Sequence, residues 1–208
     1  MDSSVPIRAF LLGLAIAAPV GPIGVLVIRR TLAFGPRVGL ISGLGAATAD
    51  AAYGLVAATG LTALMRPLLA HADVVRLVGG LFLGALGLRT LLARPRNEVS
   101  GAAAGGSQLW SAYLSTLALT VTNPMTILSF ATAFAGLGVL TEIGAVRGAG
   151  VVVVGAVFLG SALWWVMLSG GVGLLRGSLG SRALGAVNWL SGSLLLGFGL
   201  LGVLRFRT

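Results

Sequence analysis

Asp50 is the only acid well inside an apolar run of this chain; Asp2, Asp73, Glu98 and Glu142 fall in expected loops or at the terminus. An ionised Asp at mid-bilayer costs at least about 2.5–3.5 kcal/mol, so its placement points to a use. A carboxyl there could load and release a proton or a monovalent cation. The other reading is a structural hydrogen bond. Gly35, Gly39, Gly43, Ala47 and Ala51 recur every four residues, a seam for close helix contact. Asp50 lies three residues beyond Ala47 and so belongs to that seam, facing the bundle interior.

A second kind of chemistry is written in backbone. The stretch "LAIAAPVGPIGVLVI" is long enough to cross a bilayer, yet Pro19, Gly21 and Pro22 interrupt it near its middle. Pro22 cannot donate to the carbonyl of Ala18, nor Pro19 to that of Ala15, and Gly21 permits a turn between them. The span therefore splits, with free carbonyls on one side and the amides of residues 23–26, among them Ile23 and Gly24, on the other. Unpaired backbone groups in hydrocarbon cost several kcal/mol each and persist only in protein or beside a polar cavity. A helix N-terminus suits a carboxylate, and free carbonyls suit an ammonium group, so a zwitterion fits both. A packing kink is the alternative. Asn123-Pro124 makes a second break, expected to free the carbonyl of Thr120. Thr120, Thr122, Asn123 and Thr126 form the most polar intramembrane cluster, unless the Thr hydroxyls bond back to their own helix.

Other polar residues signal less. Trp164 and Trp165 read as an interfacial aromatic belt. Asn188, Ser191 and Gly192 share a face of the last span, and Tyr53 and Tyr113 fit cavity or interface. His71 has no partner at metal-ligand spacing, so no metal site is expected.

The elements that position these residues follow from composition. The chain is 57% hydrophobic and 9% charged, with mean hydropathy +1.03; a soluble domain carries about 25% charged residues. The fold expected is all-α integral membrane. The net charge is +9, and every one of the 14 basic residues is Arg. They are spread in twos and threes between apolar runs, as interfacial loop charges are. No soluble segment exists to gather them into a nucleic-acid face. Cys is absent, which excludes disulfides and thiolate metal sites. Arg8 and "AIAA" imitate a signal peptide, but the apolar run continues past the would-be cleavage site, so a retained span is expected.

Six spans of roughly 20 residues are expected over residues 7–28, 38–64, 77–92, 109–128 (extending towards 139), 148–168 and 183–204. "RRTLAFGPR" and "RGSLGSR" are read among the connections. Residues 100–108, rich in Gly, Ala and Ser, are read as a flexible loop joining two three-helix halves, 1–99 and 109–208. "GPIGVL" aligns with "NPMTIL", and "GGLFLGALGLRTLL" with "SGSLLLGFGLLGVL". Two halves with an odd number of spans sit inverted in a membrane, with broken first and fourth helices, a transporter architecture. The Arg distribution leans to both termini outside.

With these motifs in hand, the chain resembles the lysine exporter (LysE) translocator family. "APVGPIGVLVIRRTLAFGPRVGLISGLGAATADAAYGLVAATGL" is similar to that family's first two spans, "VVRLVGGLFLGALGLRTL" to its third and "NPMTILSFATAF" to its fourth. By resemblance Pro19, Gly21, Pro22, Asp50, Asn123 and Pro124 take the family's motif positions. Two departures stand out: Val20 is inserted in the first motif, and "NPMT" replaces a more usual Asn-Pro-Lys. The resemblance implies export of amino acids or related small solutes across the cytoplasmic membrane, driven by an ion gradient, with no cofactor. Partners would be a small-molecule substrate, lipid, a coupling proton or cation and no nucleic acid, with a homo-oligomer left open. A metal-ion exporter or channel is the alternative; one buried carboxylate offers a hard cation few ligands. An intramembrane enzyme lacks the groups for known hydrolytic designs, and no Walker loop is present.

Overall fold

The computed structural model describes residues 4–19, 21–58, 72–92, 105–123, 126, 129–130, 149–177 and 181–204. Among them all regular structure is helical: α1 Ser4–Ala17, α2 Pro22–Phe34, α3 Pro36–Ala58, α4 Ala72–Leu92, α5 Gly106–Val121, α6 Ala149–Arg176 and α7 Ser181–Leu204. The end of the expected second span, part of the 100–108 connector, Pro124 and the extension towards 139 lie outside the described residues. The last three residues of that connector form the first turn of α5.

Two boundaries differ from the sequence reading for one reason: charged or Gly-rich residues do not stop a helix that still has protein to pack on. Arg29 and Arg30, read as loop charges, lie within α2, which ends at Phe34. The whole connection to α3 is Gly35, at φ 99, a conformation that L side chains rarely adopt, followed by Pro36 at the start of α3. The Gly35 amide donates to the Thr31 carbonyl, and Arg176 Nε donates to the Leu32 carbonyl at 3.0 Å, placing a cation at the C-terminal end of α2. Arg176 can do this because α6 runs eight residues past its expected end at 168, with Gly173 against Pro36.

α6 is long and apolar enough to cross a bilayer alone, and α1 and α2 qualify together, bent by 75° at their break, the geometry of a broken span or a re-entrant loop. Large apolar side chains point outward, for example Leu174 (85% exposed), Val151 and Leu92. In water that surface would be an aggregation liability; against lipid it is matched. The interior is built from small residues. Gly39 and Gly43 of α3 approach Thr31, Ser169 and Trp165, and Gly54 packs on Val157, so the seam read from sequence is the α3–α6 contact, with the two helices antiparallel. Its residue Gly35 is the exception, spent on the turn.

Pairing of the remaining helices follows a pattern. Gly45 of α3 abuts the Tyr113 carbonyl and Leu117 amide of α5; Gly160 of α6 abuts the Phe10 carbonyl and Leu14 amide of α1. α4 and α7 cross where Gly87 meets the Gly192 carbonyl, 2.9 Å from an ideal Cβ, and where Gly199 meets the Gly80 carbonyl at 2.7 Å. Aligning residues 79–92 with 191–204 carries Gly80 onto Gly192 and Gly87 onto Gly199, so each contact is the image of the other.

Candidate functional site

The first break is a real interruption. The Ala18 amide still bonds to Leu14, and the next helical bond runs from the Val25 amide to the Gly21 carbonyl at 3.0 Å. Of the amides expected to be free, Val25 is thereby used. Ile23 and Gly24 precede that bond, and both are buried. Gly21 is the N-cap, extended at φ −117 and without a side-chain cap, and Pro22 is the first helical residue. Gly21 and Pro22 are half-buried, whereas Pro19 is exposed.

Ala17 and Ile23, from either side of this break, share a core cluster with Ala46, Ala47, Leu119, Trp165 and Leu195. Leu119 is in the last turn of α5, so the first break and the approach to the second border one core. There the chain leaves helix at Val121. The Asn123 amide donates to the Thr120 carbonyl at 3.2 Å, so that carbonyl, expected to be free, is occupied. A tightened last turn lets a helix bond one residue closer when the usual donor is Pro. Tyr53 Oη donates to the Val121 carbonyl at 2.6 Å and its ring stacks on Phe130 at 5.5 Å. Thr126, beyond the break, is buried and helical. The polar cluster partly dissolves: Thr120 and Thr122 donate to Thr116 and Ala118 of their own helix. Such back-bonding satisfies a hydroxyl locally and leaves it less to offer a ligand.

Asp50 is 3% exposed. Ser161 Oγ of α6 donates to Asp50 Oδ2 at 2.7 Å, and Trp165 Nε1 donates to Ser161 Oγ at 3.2 Å. Trp165 is therefore a core residue and not part of an interfacial belt; its ring lies over Gly43, where the seam leaves room. Among the described residues no hydrogen bond joins Asp50 directly to either break. The link is helix α3 itself, since Tyr53, one turn on, holds the end of α5.

The residue that sequence reasoning missed is Arg30, only 9% exposed. Its Nη1 donates to Ser42 Oγ (3.0 Å), the Ala112 carbonyl (2.9 Å) and Thr116 Oγ1 (2.8 Å), and its Nη2 to Ser115 Oγ (2.8 Å). A buried cation is thus held by neutral acceptors of α3 and α5, tying the half-helix after the first break to the helix before the second. The sequence carried one signal for it: the next stop signal after Arg30 is Gly35-Pro36, so α2 had no reason to end earlier. Tyr113 Oη, donating to Thr48 Oγ1 at 2.9 Å, adds a further α3–α5 link.

A family model for LysE type translocators matches residues 14–205, most of the chain. The chain belongs to that family. That family makes it a membrane transport protein, and the outward apolar surface fits a protein embedded in lipid. No curated protein and no solved structure matches it. Within the matched region lie both breaks, Asp50 and Arg30.

Proposed function

We propose that this LysE-family protein is a secondary exporter of amino acids or related small zwitterionic solutes in the cytoplasmic membrane, driven by a proton or monovalent-cation gradient. The observation that carries the reading is the first break. Ile23 and Gly24 begin a half-helix inside the protein, ahead of its first hydrogen bond, and Ile23 lies in the core cluster that the end of α5 also enters. Pro19, Gly21, Pro22, Ile23 and Gly24 on one side, and Asn123, Pro124 and Thr126 on the other, form the substrate site. The amides after the break bind the carboxylate.

The image-related contacts Gly87–Gly192 and Gly80–Gly199 support two inverted three-helix repeats, 1–99 and 109–208. The same is true of the matched α5–α3 and α1–α6 contacts. Asp50, buried in the α3–α6 contact, couples export to the gradient: it carries its proton or cation when dry and exchanges it when the seam opens to water.

The test is counterflow of a panel of amino acids in proteoliposomes, each with an amide-capped analogue as competitor. A zwitterion that exchanges, and whose capped form competes at least about tenfold more weakly, is the expected result; a tenfold change corresponds to about 1.4 kcal/mol of carboxylate binding. Equal competition by the capped form would remove the half-helix from substrate binding. Asp50→Asn keeps an oxygen to accept from Ser161 and should preserve exchange while abolishing uphill export. Retained uphill export at normal expression would refute coupling through Asp50.

A further inference from the structure

Positive charge is gathered where α2 packs on α7, with Arg89 of α4 in reach. Arg29 is half-buried, and its one hydrogen bond among the described residues runs from Nε to Asn188 Oδ1 of α7 at 3.2 Å. A guanidinium has five N–H donors, so four are left. Arg89 of α4 lies within electrostatic reach of both Arg29 and Arg30. Arg30 is already engaged with Ser42, Ala112, Ser115 and Thr116. The only carboxylate among the described side chains, Asp50, is turned away to α6 and bonded to Ser161. The Gly87–Gly192 crossing holds α4 and α7 together within about one turn of both Arg89 and Asn188.

We propose that Arg29, Arg89 and Asn188 form a subsite for an oxyanion, a carboxylate or phosphate group, between α2, α4 and α7. Three like charges near one another with no described counter-charge repel most strongly where water is scarce, and an oxyanion relieves that repulsion. The guanidinium fork matches two oxygens of such a group. Asn188 accepts from Arg29 through Oδ1, which fixes the fork and leaves its amide donors for the same anion. Arg29 lies about 10 Å of helix beyond Pro22, so the subsite stands whether or not the breaks bind substrate. The oxyanion has two possible sources. Arg89 is exposed with Leu88 and Leu92 exposed beside it, a mixed charged and apolar surface that suits an anionic headgroup; a dissolved solute could supply the same group. Cations that merely extend to the membrane surface would form no saturable site.

The experiment is thermal unfolding of the full chain in phosphatidylcholine nanodiscs. Inorganic phosphate is titrated against chloride at equal ionic strength, and phosphatidylglycerol is introduced in a parallel series. A saturable rise in melting temperature is expected with at least one probe. Phosphate alone or with lipid identifies a dissolved oxyanion; phosphatidylglycerol alone identifies a headgroup. Arg89→Gln should weaken half-saturation by about tenfold or more, while Arg37→Gln, exposed at the start of α3, leaves it unchanged. Arg89 is exposed, so its variant keeps the test open even where Arg29→Gln folds poorly. No saturable rise with either probe, or a rise that Arg89→Gln leaves intact, overturns the subsite.

Discussion

The Ser161 hydroxyl of α6 donates to Asp50 Oδ2 of α3 at 2.7 Å, and Ser161 Oγ in turn accepts from Trp165 Nε1 at 3.2 Å. One hydroxyl thus serves two buried groups across the main helix contact of the bundle. Ser161→Ala leaves both without a partner and should cost about 1–3 kcal/mol per group stranded. Ser161→Thr keeps the hydroxyl and should restore most of the loss. Equilibrium unfolding in detergent measures both, and an alanine variant as stable as the parent would mean the bond is idle.

Arg30 gives an asymmetric prediction. Its acceptors do not depend on it: Ser42 and Thr116 also donate to the carbonyls of Val38 and Ala112 in their own helices. Arg30→Met removes the charge and leaves satisfied hydroxyls behind. The pair Ser42→Ala and Thr116→Val instead keeps the charge buried and takes away two of its four acceptors, leaving the Ala112 carbonyl and Ser115 Oγ; a hydrogen bond to a charged group is worth about 1.5–3 kcal/mol. The double variant should therefore be the less stable by about 1–3 kcal/mol. The opposite order, read from unfolding midpoints, would sink the assignment of Arg30 as a buried cation.

Glycine positions separate by what surrounds them. A Cβ on Gly160 would enter the backbone of Phe10 and Leu14, and one on Gly45 the backbone of Tyr113, so Gly160→Val and Gly45→Val should fail to fold or lose well over about 3 kcal/mol. Gly155, in the second turn of α6, has nothing within 4 Å of its Cβ position. Gly155→Ala should be neutral or stabilising by about 0.5–1 kcal/mol through helix propensity. Melting temperatures of the three variants rank them directly.

Gly21 tests the break without disturbing the fold. Its φ is −117 and no atom lies within 4 Å of a built Cβ. Gly21→Ala should melt like the parent. If substrate approaches the backbone there, the added methyl should raise the half-saturating concentration by about tenfold. Unchanged transport kinetics would show that substrate does not approach this residue.

By itself the sequence determined the membrane class, because 57% hydrophobic residues with 9% charged leave no alternative solvent. It also determined the break at Gly21-Pro22, since a missing donor is a covalent fact, and the face of α3 that carries Gly39, Gly43 and Asp50, since helical spacing fixes what shares a face. Tertiary structure decided the partners. Periodicity places Asp50 on a seam but cannot say that Ser161 lies opposite it. A charge beside an apolar run reads as interfacial, so Arg29 and Arg30 were legible as helix only through the distant stop at Gly35-Pro36. Their burial depends on acceptors 82 to 159 residues away, Ala112, Ser115 and Thr116 for Arg30 and Asn188 for Arg29. Trp165 looked interfacial for the same reason: its burial follows from the absence of a side chain at Gly43, on a different helix. The Thr120 carbonyl, freed on paper by Pro124, is taken by its own tightened turn. Local chemistry fixes which groups are left unpaired or charged; only the packing of distant helices decides what meets them.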